Sequence, residues 1–190
     1  SSKGGRISSV RLKEYQTFDS MPLILFDKES SDFGYVFSSQ NKLVNISDLY
    51  FEAKGESVEV TGGDSASVSM ILKLNDRQYI EHIFTIRGND YMVDQDIKMV
   101  GFDDIIPRTI NYIDLNWDVT TKQLERKQTK QSARITRNFT TAYYKYIDES
   151  PDFLNSLKES GIELSGDVKW VAFKQHFFNQ TLVAGRKFIR

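Results

Sequence analysis

The stretch Ile113-Asp114-Leu115-Asn116-Trp117-Asp118-Val119 alternates without a break. Ile, Leu, Trp and Val fall on one parity, and Asp, Asn and Asp on the other. Successive side chains of an extended chain point to opposite faces, so this pattern predicts a strand with one apolar and one solvated face. The same period recurs on either side of it. Val68, Met70, Leu72 and Leu74 fall on one face of the run from Val68 to Leu74, and Ile80, His82, Phe84 and Ile86 on one face of the run from Ile80 to Arg87. Tyr91 to Val100 and Thr140 to Ile147 read as further strands with more polar faces. Gly88-Asn89-Asp90 and Thr61-Gly62-Gly63-Asp64 carry the residues that hairpin turns require.

Helical signals are few. Ser150-Pro151-Asp152 reads as an N-cap followed by proline at the first helical position, with Gly161 as the stop. Phe153, Leu154 and Leu157 would share a face of that short helix. Ser47 to Phe51 reads as one more helical turn. Three prolines and many short alternating runs predict a mostly β fold, an antiparallel β-sandwich with one or two short helices. No fixed-period repeat and no low-complexity linker divides the chain, so residues 1–190 read as a single domain.

Composition bounds the function. With 190 residues, 39% hydrophobic and 13% aromatic, the chain has the material for a full core. Lys and Arg number 25 against 26 Asp and Glu, a balance that gives no global attraction to nucleic acid. The lack of cysteine excludes thiolate catalysis, disulfides and cysteine-ligated zinc. No run approaches the ~18 consecutive apolar residues of a membrane span. The chain begins Ser1-Ser2-Lys3-Gly4-Gly5, without an initiator methionine or an apolar signal core, and reads as an excised soluble piece of a longer protein.

One segment stands apart. Residues 120–138 carry Lys122, Arg126, Lys127, Lys130, Arg134 and Arg137 against a single acid, Glu125. The segment is rich in good helix formers and poor in strand formers, which predicts an exposed basic loop or partial helix between two strands. Such a run would suit an anionic lipid surface, where each cation is worth ~1 kcal/mol, or an acidic partner. A merely solvated connection is the commoner fate of a charge run. The absence of aromatic stacking residues argues against single-stranded nucleic acid.

Catalytic and ligand-binding patterns are missing. The two histidines, His82 and His176, form no HxH, HxxxH or HExxH pair. Asp94/Asp96 and Asp103-Asp104 lack the rest of a calcium loop and read as solvated carboxylates. No G-x-S-x-G elbow, GxGxxG or GxxxxGK[ST] occurs. Alternation turns His82 inward, and His176 lies in an aromatic run, so packing is the expected role of both. No catalytic residue, metal or cofactor is assigned.

Three stretches carry a family resemblance. Val168-Lys169-Trp170-Val171-Ala172-Phe173-Lys174-Gln175-His176-Phe177-Phe178, followed by Thr181-Leu182-Val183-Ala184, is similar to the "W-[VI]-A-x-x-x-Q-[YF]-F" segment of the periplasmic domains of YidC-type membrane protein insertases. Ser2-Lys3-Gly4-Gly5-Arg6-Ile7 resembles the "[KR]-G-G-x-[IV]" opening of that domain's first long strand. Gly88-Asn89-Asp90-Tyr91, leading into Met92 to Ile97, resembles the family's "G-x-x-Y" turn and strand. These are turn and packing motifs, and together they cover most of the chain. The basic segment 120–138 departs from the pattern.

The resemblance implies a galactose-mutarotase-like β-supersandwich without catalytic residues. It implies a location on the periplasmic face of the inner membrane, as the soluble domain of a multi-pass protein. The implied partners are accessory proteins of the Sec translocon, with nascent membrane proteins handled by the parent's membrane core. Members of the family continue past the aromatic segment with further strands and a helix, so those parts are expected beyond this chain. The candidate interaction surface comprises Lys122, Arg126, Lys127, Lys130, Arg134 and Arg137 together with Trp170, Phe173 and Phe177. The rival readings are a mutarotase-like sugar-binding protein or enzyme, which needs a histidine beside an exposed carboxylate, and an extracytoplasmic carbohydrate-binding module. The latter would use exposed aromatics such as Tyr143, Tyr144 and Tyr146.

Overall fold

The computed structural model describes residues 1–39, 42–103, 105–106, 112–122, 124 and 139–189. It contains thirteen strands among these residues: β1 Val10–Gln16, β2 Pro22–Phe26, β3 Ser31–Ser39, β4 Lys42–Asn45, β5 Glu52–Lys54, β6 Ser65–Asn75, β7 Gln78–Arg87, β8 Val93–Val100, β9 Asp114–Val119, β10 Thr141–Tyr146, β11 Asp152–Phe153, β12 Val168–Lys174 and β13 Asn179–Phe188. The chain is thus mostly β, and its assigned pairings are antiparallel. It gathers into two compact units, residues 1–8 with 31–118, and residues 9–30 with 119–190.

The first unit holds a three-stranded sheet, β4-β3-β9, and a four-stranded sheet, β5-β6-β7-β8. Tyr35, Phe37 and Val44 from the first, and Met70, Leu72, Ile80, Phe84, Ile97 and Met99 from the second, meet in one apolar cluster with Ile46, Phe51 and Phe102. Two sheets sharing one core make a sandwich, which is how two half-apolar sheets bury their inner faces. Alternation reads correctly here. Leu115, Trp117 and Val119 are partly buried while Asp114, Asn116 and Asp118 are exposed, and Ile80 and His82 are both buried on one face of β7. Leu74 and Ile113 break the pattern: Leu74 sits at the end of β6, past most of the pairing with β7, Ile113 precedes β9, and both are exposed. The helical turn expected from Ser47 is a 3₁₀ turn, Ile46–Asp48, begun one residue earlier because the Asn45 side chain accepts the Ser47 N–H at 3.0 Å.

The N-terminal Lys-Gly-Gly motif does not open a long strand. Gly4 and Gly5 adopt left-handed conformations, φ +75° and +55°, and Lys3 makes only an isolated bridge to Tyr50. Regular pairing begins at Val10. Gly4 N–H donates to the Leu49 carbonyl and Phe51 N–H to the Ser2 carbonyl, each at 2.8 Å, so the motif stitches the N-terminus beside Phe51. A Cβ on Gly5 would fall 2.6 Å from the Phe51 ring, which is why the position requires glycine.

The second unit holds the β1–β2 hairpin and a four-stranded sheet ordered β11-β10-β12-β13. The short helix expected after Ser150 does not form. Asp152 and Phe153 pair instead with Tyr144 and Tyr143, Leu154 N–H donates to the Ala142 carbonyl at 2.9 Å, and the Thr141 hydroxyl donates to the Leu154 carbonyl at 2.7 Å. Pairing along β10 satisfies these backbone groups, and Leu157, meant for the helix's apolar face, is left exposed.

Candidate interaction surface

The site is built on β12, an inner strand flanked by β10 and β13. Register places Phe173 opposite Ala142 and Gln180, and Val171 opposite Tyr144 and Leu182. Trp170 has the other parity, opposite Lys145 and Val183. Trp170 and Phe173 thus lie on opposite faces of the sheet, both half-buried, as aromatics on both parities of one strand demand. Beside Trp170, Val183 is exposed. On the same face the Tyr143 and Phe153 rings stand 5.3 Å apart, so this side of the sheet keeps a partly open apolar strip. Tyr143 and Tyr146 are half-buried, and Tyr144 is buried with its hydroxyl donating to Asp152 at 3.1 Å. Burial and that acceptor raise the Tyr144 pKa.

Past β12 the chain turns tightly, with Gln175 N–H donating to the Phe178 carbonyl at 2.7 Å. The turn throws the Phe177 side chain into solvent, 70% exposed. His176 lies between two rings, 4.7 Å from Phe139 and 4.2 Å from Phe177. Phe178 meets Tyr15 of the β1–β2 hairpin edge-on at 5.7 Å. The Lys174 ammonium sits 5.8 Å from the Phe139 centroid and 5.3 Å from that of Tyr143. Sequence reasoning named Phe177 but missed Tyr15, Phe18, Met21 and Phe139. The available signal was Phe18 and Met21 flanking the polar pair Asp19-Ser20 at a hairpin tip.

Lys122 is the one described member of the basic set; Arg126, Lys127, Lys130, Arg134 and Arg137 lie outside the described residues. Lys122 pairs with Asp27. That ammonium, the Ser30 hydroxyl and the Glu29 N–H hold the Asp27 carboxyl down at about 2, against a partial desolvation that works the other way. The buried Gln175 side chain donates to the Lys122 carbonyl at 2.5 Å. The basic segment's start is therefore tied to the β12–β13 turn, a link no sequence pattern announced.

His82 lacks the surroundings of a general base. His82 is 1% exposed, with the rings of Phe51 at 4.7 Å and Tyr35 at 5.8 Å. Its Nδ1 lies 2.9 Å from the Gly5 carbonyl oxygen, so Nδ1 carries the proton and donates. Nε2 is buried without a partner, and burial lowers the pKa. Asp94 pairs with Arg87 at a strand edge. Among the described residues no group of three His, Asp or Glu side chains is placed to hold a metal ion, and no helix is long and apolar enough to cross a membrane.

The fold defines an antiparallel β module with a half-open aromatic sheet face and an exposed aromatic end. The family model described as YidC periplasmic domain matches residues 1–188, and the chain belongs to that family. Its relatives include the membrane protein insertase YidC of Parabacteroides distasonis, 32% identical over 189 residues, which are 99% of this chain and 28% of the relative. The proteins of the same name from Phocaeicola vulgatus and Porphyromonas gingivalis are 30% and 31% identical, over 98% and 99% of this chain and 28% of each relative. The chain spans 28% of the length of these relatives. No solved structure matches.

Proposed function

We propose that this chain is a non-catalytic periplasmic module of a membrane protein insertase, assisting the insertion and folding of inner-membrane proteins by binding accessory proteins of the Sec translocon. The observation that carries the reading is the family match over residues 1–188, joined to relatives that are named insertases over nearly the whole of this chain. The site's chemistry supports it. Both histidines are engaged in ring packing, and His82 is closed off from any substrate. The mutarotase-like rival needs a histidine beside an open carboxylate. Of the three rings named for the carbohydrate-binding rival, Tyr144 is buried and Tyr143 and Tyr146 are half-buried, so none stands free as a sugar platform by itself.

The docking surface we favour for the protein partner is the strip beside Trp170, where Tyr143, Phe153 and Val183 leave apolar area partly open. Exposed apolar area on a polar surface is the usual mark of a contact site. The test is photo-crosslinking in cells, with a photoreactive phenylalanine at position 153 or 183 of the full-length parent. Crosslinks to Sec accessory subunits support the reading. Their absence, together with binding of the chain to a sugar panel, overturns it.

A further inference from the structure

We infer that the open face of the β11-β10-β12-β13 sheet takes an apolar protein segment that carries a carboxylate, with Lys174 and Lys145 as the residues that select it. The inference rests on the reading of this face as a protein-docking strip and names the chemistry of the segment that fits it. The face has relief. Ala172 lies at its centre, between Tyr143 and Thr181 across the strands and between Trp170 and Lys174 along its own strand. Alanine is the smallest of these side chains and is buried beneath its neighbours, so the centre is a recess walled by the Trp170 and Tyr143 rings. Apolar area continues to either side of it. Phe153, opposite Tyr143, is 58% exposed, and Val183, opposite Trp170, is 40% exposed.

Charge selects the occupant. The four strands carry five cations, Lys145, Lys169, Lys174, Arg186 and Lys187, against one carboxylate, Asp152. Asp152 belongs to the opposite, buried face, where it is in register with Tyr144 and accepts from its hydroxyl. Two of the cations are engaged elsewhere: Lys187 pairs with Asp167, and Lys169 donates to the Ala184 and Gly185 carbonyls. Lys145 and Lys174 stand on the open face, opposite Trp170 and Thr141. The Lys174 ammonium sits 5.3 Å from the Tyr143 centroid, at the rim of the recess. The Lys145 ammonium reaches the Tyr146 and Ile147 carbonyls. Neither meets a carboxylate among the described residues. Cations beside apolar area and without acids of their own are complemented by acids on the partner, which fix its register and exclude wrong partners. Residues two apart on a strand are separated by about 6.6 Å, so the fitting segment carries its carboxylate about that far from the apolar group seated on Ala172. A recess accepts a single side chain, which a bilayer does not present.

The test is photo-crosslinking in cells from positions 153 and 183 of the full-length parent, with the crosslinked partner peptide identified by mass spectrometry. A peptide with Asp or Glu close to its crosslinked apolar residue is expected. Lys174→Glu should lower the yield about fivefold or more, because attraction becomes repulsion, while Lys174→Arg should keep it. Changing the mapped acid of the partner to lysine should restore the crosslink to the Lys174→Glu parent, a rescue that a misfolded variant cannot give. A mapped peptide without an acid, a yield that Lys174→Glu and Lys145→Glu leave unchanged, no restoration by the charge swap, or crosslinks to lipid alone would overturn the inference. Crosslinks to Sec accessory subunits that ignore both lysines leave the proposed function standing, whereas the absence of any protein crosslink removes both readings.

Discussion

The Nδ1 of His82 lies 2.9 Å from the carbonyl oxygen of Gly5, and the two residues are 77 positions apart. The contact closes the N-terminal turn onto the core of the first unit. It also sets the histidine's tautomer, because a carbonyl only accepts. The second nitrogen, Nε2, is then a buried lone pair with no donor, and a proton added there would find no acceptor.

A pH dependence follows. The folded-state pKa of His82 is lowered from 6.5, chiefly by burial, with the Gly5 hydrogen bond opposing. The unfolded chain therefore takes up a proton first as pH falls below 6.5. Stability is full above that value and declines as pH falls toward the folded-state pKa. The urea midpoint should fall from pH 7 to pH 5, and His82→Gln should remove the part of that slope due to the imidazole. A parent chain and a His82→Gln variant with identical slopes would contradict the account.

Gly5→Ala tests the turn itself. Alanine at φ +55° costs about 1–2 kcal/mol of backbone strain, and its methyl group would overlap the Phe51 ring for about 1–3 kcal/mol more. Thermal melting should drop by several degrees. Gly62→Ala, also at positive φ but with open space around its Cβ, should lose only the strain.

The Asp27–Lys122 pair predicts a second titration. The Asp27 carboxyl titrates at about 2, below its ordinary 3.8, with the Lys122 hydrogen bond the largest cause. Its contribution is present above 3.8 and is lost as pH falls toward 2. Lys122→Met should move the Asp27 midpoint upward in a carbon-detected NMR titration. A midpoint that stays near 2 would mean that Ser30 and Glu29 suffice.

Gln175→Ala leaves the Lys122 carbonyl without its buried donor. Loss of a buried partner costs about 1–3 kcal/mol, read as a lower urea midpoint. Gln175→Glu should be at least as harmful, since a carboxylate cannot donate to that carbonyl and would be buried as a charge.

Much of the first unit was legible because its strands carry their own signal. The runs around Leu72, Ile80 and Trp117 alternate cleanly, and a strand with one buried face must alternate wherever it stands. The candidate surface was legible only in part. Trp170, Phe173 and Phe177 stood out as a dense aromatic run. Tyr15 and Phe139 did not, because nothing in a linear pattern says that Tyr15 meets Phe178 or that Phe139 stacks on His176. The misread helix after Ser150 shows the same limit: its capping residues were real, but Asp152 and Phe153 found strand partners in β10. Local propensity yields when backbone groups pair over a longer range.

The amino-acid order by itself determined the mostly β class, the inward face of His82 and the glycine turns, because period and backbone freedom are properties of neighbouring residues. Only the tertiary structure decided that Gly5 would accept from His82, that Gln175 would tie down Lys122, and that scattered rings would gather at one end. Those outcomes depend on which distant segments share a core, and closing such contacts is governed by the packing of the whole unit, not by any window of sequence.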